Sequence, residues 1–138
     1  MTLTADDVRA FLRTSHRAVL GTLRRDGQPQ LSPVLVSIDE DGAMIISTRE
    51  PAMKTTNVRR AGRAWVCAFQ DGFFGNWVQA EGPATVELLP EAMEALVRYY
   101  RLTAGEHPDW ADYRAAMQRD RRVIIRIQIE RVGPMRSG

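Results

Sequence analysis

The chain has 138 residues, 44% hydrophobic and 26% charged, with a formal charge of +2 at neutral pH. That suits one soluble domain over residues 1–138 with a single core. It is too little excess charge to argue for nucleic acid, although the isoelectric point is near 9.1. No apolar run reaches the roughly 18 residues of a membrane span. The opening residues lack a signal-peptide pattern, and Cys67, standing alone, cannot form an intrachain disulfide. A cytoplasmic protein is expected.

Thr4 with Asp7 three residues on predicts a helix start, with Val8, Phe11 and Leu12 on one face. A strand over Ala18–Leu23 leads into Arg24-Arg25-Asp26-Gly27, where Asp-Gly predicts a hairpin turn. Pro29–Ile38 is the expected returning strand. Asp39-Glu40-Asp41-Gly42 repeats the turn chemistry before a third strand, Ala43–Thr48. A short helix with Pro51 in its first turn and Gly62 at its end precedes a fourth strand, Arg63–Gln70. Asp71-Gly72 is a third Asp-Gly turn. Trp77–Leu89 is long for one strand, and Gly82-Pro83 inside it predicts a bulge or bend. Pro90-Glu91 opens a helix carrying Met93, Leu96, Val97 and Tyr100, and Asp109 opens another carrying Trp110, Tyr113 and Met117. In the last strand Val123, Ile125, Ile127 and Ile129 alternate with Ile124, Arg126, Gln128 and Glu130, which predicts one buried face. Six strands joined by tight turns imply a mainly β fold, an antiparallel sheet closed into a small barrel with helices in the longer connections.

The chemistry concentrates between Ser47 and Gly62. A strand, a polar turn and a helix start follow one another there. The first turn of a helix offers unpaired N–H groups and a positive dipole end to an anion. Ser47, Thr48, Arg49, Lys54 and Thr55 surround that point, and Lys54 is the only lysine among 19 basic residues. A compact ammonium is a point charge where arginine is a planar fork. The other reading is a solvated Lys54 beside an ordinary basic face at Arg59-Arg60. The glycine-rich phosphate signatures are absent. His16 and His107 lie far apart with no ligand-spaced partner, which argues against a metal, and no nucleophile–base pair can be placed. Any catalytic role would rest on a bound cofactor. Pro29-Gln30-Leu31-Ser32-Pro33-Val34 is unusual for a strand and predicts either an edge or an irregular stretch, with backbone polar groups free for a ligand. Phe69, Phe73, Phe74 and Trp77 suit core or interface packing, with a ring wall as the alternative.

Several stretches together carry a resemblance: Asp26-Gly27-Gln28-Pro29-Gln30-Leu31-Ser32, then Glu50-Pro51-Ala52-Met53-Lys54-Thr55-Thr56-Asn57-Val58-Arg59-Arg60, then Ala80-Glu81-Gly82 and Tyr99-Tyr100-Arg101. A closing stretch runs from Ala104-Gly105-Glu106-His107-Pro108-Asp109-Trp110 to Asp120-Arg121-Arg122-Val123. In this order they resemble the split β-barrel flavoproteins related to pyridoxamine 5′-phosphate oxidase, and more narrowly the branch using the deazaflavin coenzyme F-420. The resemblance implies a six-stranded split barrel, assembled as a homodimer with cofactor sites at the interface. Lys54, in a stretch that includes Met53 and Asn57, would meet the cofactor phosphate. The strand holding Pro29, Gln30, Leu31, Ser32, Pro33 and Val34 would lie along the ring, and Ser47, Thr48 and Arg49 would contact the phosphate and ribityl region. Ala52 stands where some relatives carry an arginine, which leaves that charge to Arg49 or Arg60. Trp77 is expected from the second chain. The implied activity is hydride transfer from reduced F-420 to a small electron-poor acceptor of the quinone, enone or tetrapyrrole class. No catalytic residue, metal, nucleic acid or membrane is implied. The alternatives are an FMN enzyme of the pyridoxamine 5′-phosphate oxidase type and a non-catalytic cofactor-binding protein.

Overall fold

The computed structural model describes residues 3–133 and the backbone of 136–137. Helix α1 (Ala5–Leu12) begins at Thr4, whose hydroxyl accepts from the Asp7 amide while the Asp7 carboxylate accepts from the Thr4 amide. The strands that follow are β1 (Arg17–Leu23), β2 (Pro29–Leu35), β3 (Ser37–Ile38) and β4 (Met44–Arg49). After α2 (Met53–Ala61) come β5 (Arg63–Phe69) and β6 (Asn76–Glu87). Helices α3 (Met93–Ala104) and α4 (Trp110–Arg119) precede β7 (Arg122–Ile127), β8 (Arg131–Val132) and β9 (Arg136–Ser137).

All pairings are antiparallel, in the order β2-β1-β5-β6-β7-β4-β3, with β8 and β9 beside β6. The strands number nine among the described residues, not six. The expected strand Pro29–Ile38 breaks at Val36, which is fully buried and donates its amide to the His16 carbonyl. Because β2 and β3 stand at opposite ends of the strand order yet are separated by one residue, the sheet rolls round on itself. Val8, Leu12, Leu20, Val36, Met44, Ile46, Val66, Val78, Ile125 and Ile127 fill its interior. A second cluster, with Ile45, Leu96, Tyr113 and Ile124, lies between the outside of β4–β7 and α3–α4.

That second cluster explains a departure in β7. Val123, Ile124, Ile125 and Ile127 are all buried, because helices cover the face expected to be open. Regular strand ends at Ile127, but the chain stays beside β6, with Gln128 N–H donating to the Pro83 carbonyl and Glu130 N–H to that of Glu81. The expected alternation continues, Ile129 against the interior and Gln128 and Glu130 exposed.

The anticipated irregularity at Gly82-Pro83 takes the form of a change of partner. β6 pairs β5 through Pro83 and pairs β7 from Ala84 onward. The Gln128 carbonyl crosses so close to Gly82 that an added Cβ would stand 1.7 Å from it, so only glycine fits. Pro83, which has no amide hydrogen, accepts through its carbonyl from Gln128 N–H. Two of the three Asp-Gly turns place a positive φ at glycine, +83° at Gly27 and +84° at Gly42. In the third, Phe73 takes it (φ 67°), and that loop is wider than a hairpin turn.

Candidate functional site

β2 is an edge strand, and its prolines determine what that edge presents. Arg24 N–H donates to the Gln28 carbonyl, and Val36 N–H to that of His16. Antiparallel alternation then assigns the ladder bonds to the pairs Thr22–Gln30, Leu20–Ser32 and Ala18–Val34. Pro29, Leu31, Pro33 and Leu35 direct their backbone groups away from β1, where a missing proline N–H removes no ladder bond. The Leu35 carbonyl accepts from the Tyr99 hydroxyl at 2.9 Å. What stays open along the edge is the Leu31 amide and the carbonyls of Pro29, Leu31 and Pro33. Their side chains lie on the outer face, with Leu31 68% exposed. The Gln30, Ser32 and Val34 side chains are half-buried on the inner one. The predicted β2 residues therefore divide into backbone and side-chain contributors.

Helix α2 stands across from the Gln30 end of this strand. Pro51 lies in the preceding turn, not in the first helical turn as expected, and Ala52 is the N-cap with no side-chain acceptor to offer. Gly62 closes the helix with φ 69°, its amide donating to the Val58 carbonyl. Thr55 is buried and donates its hydroxyl to the Arg49 carbonyl at 2.7 Å, fastening the helix start to the end of β4. Met53, Thr56, Asn57 and Arg60 share the face that looks onto a cleft of about 810 Å³, with Gln30, Arg24, Arg25 and Asp26 on the other wall. That volume lies in the range of small-molecule and cofactor sites.

Asn57 is held from several sides. It is 1% exposed, and its amide donates to Thr22 Oγ1 (3.1 Å) and Gln30 Oε1 (2.8 Å). Its carbonyl oxygen accepts from Arg60 Nη2 (3.0 Å), which also donates to the Leu23 carbonyl at 2.6 Å. Asn57 thus orients Gln30 and Arg60 on the cleft wall that it also lines. Thr48 is similarly turned inward, 4% exposed, while Ser47 and Arg49 stand on the opposite side of β4.

Lys54 is half-buried, one helical position away from the Met53–Asn57 face. Burial, and then the nearby Arg122 charge, lower its pKa from the ordinary lysine value. Trp77 pairs with Phe69 across β5–β6, on the outer face and outside the cleft of its own chain. Sequence reasoning missed Arg24, Arg25, Asp26 and Thr56 as cleft residues. The first three were legible only as a turn, which the sheet places at the mouth of the cleft.

Neither histidine offers acid–base chemistry there. His16 Nδ1 is 2.9 Å from the Val36 carbonyl, and His107 Nδ1 accepts from the Asp109 amide. Among the described residues no three His, Cys, Asp or Glu side chains group as a metal site, and no helix is long and apolar enough to cross a membrane. The site consists of an edge strand with open backbone groups, a cleft and an excess of cations, which fits a flat, anionic cofactor.

Residues 4–136 match the family described as pyridoxamine 5′-phosphate oxidase. The chain belongs to that family. A relative from Mycobacterium tuberculosis, the F-420H2-dependent biliverdin reductase, is 35% identical over 131 residues, covering 93% of this chain and 85% of its own. Among solved structures, the conserved hypothetical protein Rv2991 of Mycobacterium tuberculosis superposes with a TM-score of 0.77 at 24% identity, over 96% of this chain and 84% of that one. A structure described as an F-420 reductase gives 0.70 at 16% identity, over 91% and 94%. At such identities the two structures attest the fold of the family, an antiparallel sheet with peripheral helices.

Proposed function

We propose that this protein is a cytoplasmic, homodimeric reductase that uses reduced F-420 to deliver a hydride to an electron-poor organic acceptor of the tetrapyrrole class. The observation that carries this reading is the 35% identity to an F-420H2-dependent biliverdin reductase across nearly the whole chain. The site supports it independently. The open edge of β2 offers the Leu31 N–H and three carbonyls to the polar rim of a flat heterocycle, and Gln30, held by Asn57, fixes the wall beside it. Lys54 of α2 meets the phosphate with Ser47 and Arg49 of β4. Arg24, Arg25 and Arg60 line the cleft where an acidic tail would extend.

When bound, reduced F-420 supplies a two-electron hydride donor. The chain's own work is to bind, orient and shield, and solvent is adequate as the proton source. The half-buried apolar residues of the outer sheet face support assembly with a second copy, and we assign Trp77 of that copy to the ring of the cofactor.

Side-by-side titration of the purified protein with F-420 and FMN tests the cofactor. F-420 is expected to bind more tightly, and to weaken as salt rises because exposed charge pairs are screened. Equal or tighter FMN binding would remove the reading. Turnover of reduced F-420 with biliverdin and a quinone panel tests the acceptor, and a carrier protein would show binding without turnover.

A further inference from the structure

Three cations from three different elements converge with nothing to neutralise them. Arg49 at the end of β4 and Arg122 at the start of β7 are directly opposed in the antiparallel register. Like charges in that position repel. Lys54 of α2 is close enough to Arg122 to feel its charge. Among the described residues, none of the three makes an ion pair, although twelve such pairs occur elsewhere in the chain. The neighbouring carboxylate, Glu50, is taken by Arg121 at 3.5 Å and Arg59 at 4.0 Å. Arg122 is itself largely covered, and its Nε is buried with no hydrogen-bond partner. Leaving a buried charged donor unpaired is costly, and that cost falls in a chain whose other half-buried arginines, Arg9, Arg63, Arg98, Arg114 and Arg126, each reach a carboxylate.

We propose that Arg122 is an anion-binding residue, closing with Lys54 and Arg49 a three-cation site for a phosphate group. Arg60, the other arginine considered for the charge that Ala52 does not carry, is committed to Asn57 and the Leu23 carbonyl. Arg122 reaches the same place from a strand some seventy residues further along the sequence, through the Arg49–Arg122 pairing. The inference rests on the proposed F-420 reading only for the identity of the phosphate's owner.

Two probes separate the inferences: oxidised F-420, followed by fluorescence, and inorganic phosphate, followed by thermal protection from an anion-free buffer. Wild type, Arg122→Met, Arg122→Gln and the surface control Arg119→Met are compared. Losing a charge-assisted contact should weaken F-420 binding roughly ten- to a hundredfold in both Arg122 variants. Phosphate protection should disappear, and Arg119→Met should match wild type. Relief of repulsion should leave the melting temperature of the anion-free Arg122 variants unchanged or higher, which a purely structural arginine would not do. Wild-type affinity for both probes in folded Arg122 variants, or a lowered melting temperature without loss of binding, overturns the inference. If phosphate protects wild type but not Arg122→Met while F-420 binds neither, the anion site stands and the F-420 reading falls. F-420 binding equally to wild type and both variants leaves that reading standing and removes Arg122 from the site.

Discussion

Lys54 carries its charge at a cost that a bound anion would relieve. Burial and Arg122 lower its pKa, so the ammonium is easier to deprotonate than an ordinary lysine. The sign follows: affinity for an anionic cofactor is complete below that lowered pKa and declines as pH rises through it, whereas Lys54→Arg keeps its charge and should show no such decline. Lys54→Ala removes a contact worth about 1.5–3 kcal/mol, which predicts an affinity loss of roughly ten- to a hundredfold without a change in melting. Fluorescence titration of F-420 across alkaline pH tests both, and a flat wild-type profile with unaltered Lys54→Ala binding would sink the assignment. Lys54 was visible in the sequence because it is unique. Asn57 was visible too, but not its bonds to Thr22 and Gln30, because those partners lie 35 and 27 residues away. Arg122 was visible only within the closing stretch of the resemblance, without a role, since its meaning comes from the residue opposite it in the sheet.

At the scale of elements, the turn at Asp39 does more than reverse the chain. Its carboxylate, 3% exposed, accepts from Arg98 of α3 at 2.6 and 3.0 Å and from Arg126 of β7 at 2.8 Å. Arg126 also binds Asp41 and Glu87, so one cluster joins β3, β6, β7 and α3. Burial alone would raise the Asp39 pKa, but the Arg98 hydrogen bonds, the Glu40 backbone and Arg126 outweigh it and bring it to about 2. A depressed carboxylate pKa adds stability above its unfolded value near 4 that is lost as pH falls toward 2. We expect about 2 kcal/mol to disappear across that window, read as a falling urea midpoint. Asp39→Asn should be less stable at pH 7 and lose less than wild type between pH 4 and 2, since Asp7 and Glu94, also held below the usual carboxylate range, still titrate. A wild-type midpoint constant over that range would contradict the account. The helix caps at Thr4 and Asp109, the amphipathic helices and two hairpins were legible because each depends on residues within one turn of chain. The split at Val36 and the change of partner at Gly82 were not, because both are imposed by strands distant in sequence.

On the scale of the whole molecule, the outer face of the rolled sheet is what the proposed homodimer would use. Gly21 leaves room there for Leu31 and Trp65, each 3.5 Å from where its Cβ would stand. The same face carries Val19, Cys67, Phe69 and Trp77, every one half-buried within a single chain. Beside it the 70–75 loop exposes Phe73 (63%) and Phe74 (80%), with Phe73 edge-to-face on both Phe74 and Phe69. A contiguous apolar area of this kind on a monomer marks an interface, and a stable one needs about 800 Å² per partner. Cys67 lies between Val19 and Gln79 in the middle strands, with its thiol pKa raised by burial and no neighbour to activate it. An arginine at position 67 would point off this face and leave the interior cluster untouched. Light scattering at micromolar concentration should therefore give a dimer for wild type and a folded monomer for Cys67→Arg. If Trp77 of one copy covers the cofactor of the other, the monomer should also lose F-420 affinity while keeping its melting transition. A monomeric wild type, or a Cys67→Arg protein that stays dimeric, would rule out this face as the interface. A monomeric variant with full F-420 affinity would confine the site to one chain and remove Trp77 from it.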